Sequence, residues 1–112
     1  MKKEEILFNI ELDDENIPEK INWKSAVDEN AELSETKSIS ISLWDHDQKN
    51  TMRIDLWTKD MPIEEMKKFY IDSIGGLAQS LLTATGDEFM ADEMNALCDK
   101  LVAYLKKDLD SR

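Results

Sequence analysis

Apolar and polar side chains alternate over residues 6–12 of the chain. Ile6, Phe8, Ile10 and Leu12 fall on one side and Leu7, Asn9 and Glu11 on the other, which predicts a half-buried strand. "DDEN" breaks the pattern. The next segment, "NIPEKINWKS", contains Pro18, which has no N–H to give to a ladder, so it reads as an edge segment or a short irregular strand. Residues 25–36, "SAVDENAELSET", are polar and acidic and read as a connecting loop.

A second alternation is clearer. In "KSISISLW", Ile39, Ile41 and Leu43 share one face, and Ser38, Ser40, Ser42 and Trp44 the other. After the turn-rich "DHDQKN", the run "TMRIDLWT" puts Met52, Ile54 and Leu56 on a core face and Arg53, Asp55 and Trp57 outward. The two runs mirror each other as a hairpin. One register pairs Leu43 with Ile54, Ile41 with Leu56, Ser40 with Trp57 and Trp44 with Arg53. Slips by an even number keep the faces; a slip by one would mix them.

The period then changes to three and four. Ile63, Met66, Tyr70, Ile74, Leu77, Leu81 and Ala84 predict a helix that begins near Pro62, with Asp60 as its cap and Glu64 and Glu65 at the positive end of its dipole. Gly86 ends it and Asp87 caps a second helix, residues 88–109, with Met90, Met94, Leu97, Leu101 and Leu105 as its stripe. Gly75 and Gly76 sit inside the first helix at a propensity cost of about 1 kcal/mol each, which points to close approach to the sheet or to another helix.

Strands first and helices after predict an α+β fold: an antiparallel β-sheet of three to four strands followed by two C-terminal α-helices packed on one face. Residues 1–112 fit a single domain, small enough to gain from self-association, with a dimer as the default.

Charge narrows the function. Against 14 basic residues stand 25 acidic ones, a net charge of -11. Phosphate backbones and anionic lipid surfaces are repelled by that balance, so neither nucleic acid nor membrane insertion is expected. No run of about 18 apolar residues and no signal-peptide pattern is present, and the single Cys98 cannot form an internal disulfide; a cytoplasmic location is expected.

No catalytic set emerges. Asp45, His46 and Asp47 alternate faces on an extended chain and fail the calcium-loop spacing, with Lys49, Asn50 and Leu56 where that loop needs an oxygen ligand, glycine and glutamate. Cys98 lies beside Leu97 and Leu101 near acidic Asp92 and Asp99, which suits a buried, inert thiol. Neither "IGG" nor "GDE" is a phosphate-binding loop. We therefore expect no enzyme, no cofactor and no metal.

The unabsorbed feature is Trp44 and Trp57, outward on an otherwise polar face. Exposed tryptophan is enriched at interface hot spots. With Arg53, Asp55, Met61 and Trp23 they make a candidate protein-contact surface. The alternative is that the segment around Trp23 or the acidic loop folds over them.

The runs "NIPEKINW" (residues 16–23) and "IDLWTKDMPIEEM" (residues 54–66) resemble the gliding motility protein GldC family of the Bacteroidota, and the order of elements agrees over nearly the whole chain. The resemblance implies a small cytoplasmic protein that assists gliding motility and, through it, the type IX secretion machinery. It brings no catalytic residues. The order of elements alone is also similar to the SecB export chaperones, an analogy of fold. Together these point to a non-enzymatic accessory, an adaptor or chaperone-like factor with a protein partner in the motility or secretion machinery. The competing class is a small-molecule-binding module with a pocket between sheet and helices.

Overall fold

A computed structural model describes residues 1–25 and 32–110. The α+β class holds: β1 (Ile6–Leu12), β2 (Pro18–Ser25), β3 (Ser34–Thr36), β4 (Ser38–Trp44) and β5 (Thr51–Trp57) precede α1 (Ile63–Thr85) and α2 (Glu88–Asp110). The chain divides into two compact units, Met1–Met61 and Pro62–Arg112.

In the first unit the strands form two antiparallel sheets, β1-β2-β3 and β4-β5. β2 is therefore a central strand, not the edge piece expected from Pro18. The proline is its first residue, where a missing N–H interrupts nothing. Ile10 pairs with Ile21 and Phe8 with Trp23; Ile21 is fully buried. The loop expected over residues 25–36 is shorter, because Ser25 ends β2 and Ser34–Thr36 pair with it; residues 26–31 lie outside the described residues.

Side-chain oxygens organise the β1-β2 and β4-β5 turns. At the first, Asp13 accepts from the N–H groups of Glu15 and Ile17, and Asn16 takes a left-handed φ of 64°, which asparagine tolerates. Lys59 Nζ reaches the same carboxylate at 2.9 Å and Glu19 at 3.2 Å. Asp13 is held below the usual carboxylate range, first by the Ile17 N–H and then by Lys59. At the second turn, Asp45 Oδ2 accepts from the N–H groups of Asp47 and Gln48, while Lys49 is left-handed at φ 56°. Asp45 holds the loop through one of its two carboxylate oxygens.

The second unit is an antiparallel helical hairpin. Pro62, not Asp60, is the N-cap of α1, without a side-chain cap bond. Asp60 instead accepts from Lys37 Nζ at 3.2 Å. Gly86 closes α1 in the left-handed conformation at φ 72°, its N–H bonded to the Leu82 carbonyl. Asp87 caps α2, its Oδ1 accepting from the Met90 N–H at 3.0 Å.

The seam between the helices takes only part of the two predicted stripes: Met66, Ile74 and Leu81 of α1 and Met94, Leu101 and Leu105 of α2 are half-buried, while Tyr70, Leu77, Met90 and Leu97 are exposed. The seam also runs through Ala78 and Ala91, which are 1% and 2% exposed, and through Gly75, whose nearest neighbour for an added Cβ is the Cys98 Sγ. The Cys98 thiol donates to the Ile71 carbonyl at 3.6 Å and is half-buried, where full burial was expected. Small residues let the backbones approach, and Tyr70, Leu77, Met90 and Leu97 of the stripes are left exposed. Nothing lies within 4 Å of a Cβ added at Gly76, so close approach does not explain that glycine.

Candidate functional site

The register of the β4-β5 hairpin decides what its outer face presents. Ser38 pairs with Trp57, Ser40 with Asp55, Ser42 with Arg53 and Trp44 with Thr51. This differs by two residues from the pairing expected above, so the faces are kept but the neighbours change. Arg53 lies directly opposite Ser42 rather than Trp44. The cause is the loop: Asp45 and Asn50 close it through the Asp45 N–H at 2.8 Å, which leaves His46 to Lys49 as a four-residue connection.

Arg53 sits at the centre of a polar network. Its guanidinium donates to the Ser40 and Ser42 hydroxyls and to both oxygens of Asp55. Ser40 also donates to Asp55 Oδ1 at 2.7 Å. The hydrogen bonds from Arg53, and then the one from the Ser40 hydroxyl, hold the Asp55 carboxyl below its ordinary range. The alternation placed both serines on this face; that they hold the arginine depends on register, which the alternation leaves free by steps of two.

The tryptophans stand at opposite ends of this network. Trp44 is 68% exposed beside the loop, and Trp57 is 48% exposed at the end of β5. Six residues of strand separate their levels, about 20 Å. Trp57 and Asp55 also line a shallow cavity of about 280 Å³ with Ile17, Pro18, Leu56 and Lys59. This apolar rim at Ile17 and Pro18 was not foreseen, since nothing in the pattern brings the start of β2 to the end of β5. The Lys59 N–H makes that junction, donating to the Pro18 carbonyl at 3.1 Å.

The remaining two expected contact residues lie elsewhere. Trp23 belongs to β2 and stands across from Phe8 in the other sheet. Met61 is half-buried beyond β5, its N–H bonded to the Thr58 carbonyl at 3.2 Å. The structure thus brings Arg53 and Asp55 together, flanks them with Trp44 and Trp57, and leaves Trp23 and Met61 outside that network.

A family model described as gliding motility-associated protein GldC-like matches residues 18–107. The chain belongs to the GldC-like family. The match covers β2 through most of α2, including the whole β4-β5 face. Membership associates this GldC-like chain with gliding motility. No curated protein and no solved structure matches it. Among its described residues, no helix is long and apolar enough to cross a membrane.

The helical unit of the GldC-like chain holds a groove of about 380 Å³ where the start of α1 meets the end of α2. Ile71, Val102, Leu105 and Leu109 form its apolar floor, and Lys67, Lys68 and Asp72 are among the charges on its rim. Its volume is in the range of small-molecule sites.

Proposed function

We propose that the chain is a non-enzymatic accessory of the gliding motility apparatus, an adaptor or chaperone-like factor that binds a protein partner in the cytoplasm. The partner belongs to the motility machinery or the type IX secretion machinery associated with it. The observation that carries this reading is the outer face of the β4-β5 hairpin. Two exposed indoles frame a hydrogen-bonded Arg53–Asp55–serine centre. The polar centre is already paired within the chain, so covering it leaves few groups unsatisfied. The indoles supply the apolar area that a partner covers.

Affinity capture from a gliding bacterium tests the proposal, with the unaltered chain and the Trp44→Ala/Trp57→Ala variant as parallel baits. A motility or secretion component retained by the first and lost by the second supports it. Equal retention by both, with the variant folded, removes the hairpin face from the reading.

A second reading, small-molecule binding, is favoured by the groove between the start of α1 and the end of α2. A metabolite library that raises the melting temperature of the unaltered chain, but not of Val102→Arg, would move the function to that groove.

A further inference from the structure

The apolar stripe of α2 has a second property that its spacing alone does not reveal. Met90, Leu97 and Tyr104 recur every seven residues, with Met94 and Leu101 between them, so together they follow the a and d positions of a heptad. The seam with α1 uses another set on the same helix, Ala91 and Cys98, one position beyond Met90 and Leu97. The outer edge of the stripe, Met90, Leu97 and Tyr104, is left open, while Met94 and Leu101 are half-buried beside the seam. Leu97 is 45% and Tyr104 61% exposed. Tyr70 of α1 borders the same face, because Tyr70, Tyr104 and Leu101 line one shallow cavity of about 190 Å³. From Met90 to Tyr104 the stripe runs about 20 Å. A contiguous apolar face of this kind on a solvent-facing helix marks a contact.

The charges beside the stripe name the occupant. In the heptad frame Glu93 and Lys100 occupy successive g positions, both exposed, on the flank of α2 away from α1. In an antiparallel helix pair, g positions face g positions of the other helix; in a parallel pair they face e positions, which here are Cys98 and its heptad equivalents on the seam. We propose that the occupant is a second copy of this chain, with the two α2 helices antiparallel about a two-fold axis. Met94 of one copy packs on Leu97 of the other, Met90 packs on Leu101, and Glu93 faces Lys100 twice. Moving the register by one heptad toward the helix start sets Glu93 against Glu93. Moving it the other way sets Lys100 against Lys100. Lys107 is the next g position, so this last shift also sets Glu93 against Lys107; only the central register pairs opposite charges without a like-charge contact. The contact is isologous, so it closes as a dimer, and it uses no residue of the β4-β5 face.

Light scattering on the full chain at tens of micromolar is the first measurement, and a mass of two chains is expected. Leu97→Glu should give a single-chain mass with the helical circular dichroism retained. Glu93→Lys turns both cross-pairs into repulsions and should weaken the dimer about five- to tenfold. It alters only an exposed side chain, so it keeps the test open where Leu97→Glu fails to fold. The double swap Glu93→Lys/Lys100→Glu restores opposite charges across the axis and should return the unaltered dissociation constant. A single-chain mass for the unaltered protein would overturn the proposal, whether the stripe is then covered by another protein or within one chain. So would a dimer that Leu97→Glu leaves intact, or a Glu93→Lys defect that the second swap does not repair.

Discussion

The outer face of the β4-β5 hairpin and the stripe on α2 both expose large apolar side chains, and they do so in opposite ways. On the β4-β5 hairpin the indoles stand at the ends, and the middle is an Arg53–Asp55–Ser40–Ser42 network. On α2 the middle is apolar, and the charges Glu93 and Lys100 stand at the flank. The first arrangement suits a face that is open part of the time. Its polar groups are satisfied within the chain, and only two side chains lose from exposure to water. The second has no such internal satisfaction and resembles the apolar centre of a permanent interface. On the two proposals above, one sequence carries a surface for exchange and a surface for assembly. What separates them is where the charge lies, not how much apolar area they hold.

The largest effect that would break this distinction is a cross-test. Trp44→Ala/Trp57→Ala should weaken partner binding by about 2 kcal/mol or more, roughly 30-fold, measured by titration calorimetry with the captured partner. The same variant should leave the light-scattering mass of the chain alone unchanged. If one substitution set moved both readouts, the two faces would be parts of one surface.

Next comes the seam that presents the α2 stripe. Ala78 and Ala91 are buried between the helices. Ala78→Leu forces extra volume into that contact and should cost about 1–3 kcal/mol, seen as a fall of several degrees in the melting of the helical signal. Native-like melting with the leucine in place would show a seam loose enough to repack, and the stripe would lose its fixed geometry.

These contrasts show where the sequence speaks and where it is silent. Alternation over Ser38–Trp44 and Thr51–Trp57 sorted the side chains of the hairpin into two faces, because a strand has only two. The expected core face is not uniformly buried, however: Leu43, Met52 and Ile54 are 49%, 56% and 47% exposed. Alternation also left the pairing open by steps of two, and the partners of Arg53 with it. The stripes on α1 and α2 were equally plain, but an apolar stripe does not say what covers it. The helices meet through Gly75, Ala78, Ala91 and Cys98 as well as the half-buried part of each stripe. Small residues carry a weak hydrophobic signal, although close backbone approach is what they permit. Pro18 misled for a related reason: a proline forbids one hydrogen bond, and at the first residue of β2 that bond is not needed.

Gly76 sharpens the comparison from the α1 side. From residue 73 to residue 86 no side chain is charged, and an added Cβ at Gly76 meets open space. Gly76→Ala should therefore stabilise the chain by about 0.5–1 kcal/mol through helix propensity and a less flexible unfolded state. A rise of a few degrees in melting temperature, with the dimer mass unchanged, is expected. A loss of dimer would extend the assembly surface across α1.

The smallest effect probes the network that makes the hairpin face polar. Asp55 is held below its ordinary value by Arg53 and then by Ser40. An unfolded aspartate titrates near pH 3.9, so the folded carboxyl releases its proton more readily than the unfolded one. Above that pH both states are ionised and the stabilisation is present in full. As pH falls through the unfolded value and then through the lower folded one, protonation removes it. Asp13 and Asp60 are lowered in the same sense, by the Ile17 N–H with Lys59 and by the Thr58 hydroxyl with Lys37. The acid side of the stability curve therefore draws on three carboxylates. Arg53→Met keeps the length of the stem and removes the charge. It should raise the Asp55 midpoint toward the unfolded value in a carboxyl NMR titration. It should also make the loss of stability below about pH 4 shallower without abolishing it, because Asp13 and Asp60 keep their partners. An Asp55 midpoint that stays low in Arg53→Met would mean that Ser40 and the backbone hold the carboxylate by themselves. Arg53 would then be a side chain resting on the face rather than the centre of its network, and the face would lose the internal pairing that distinguishes it from the stripe on α2.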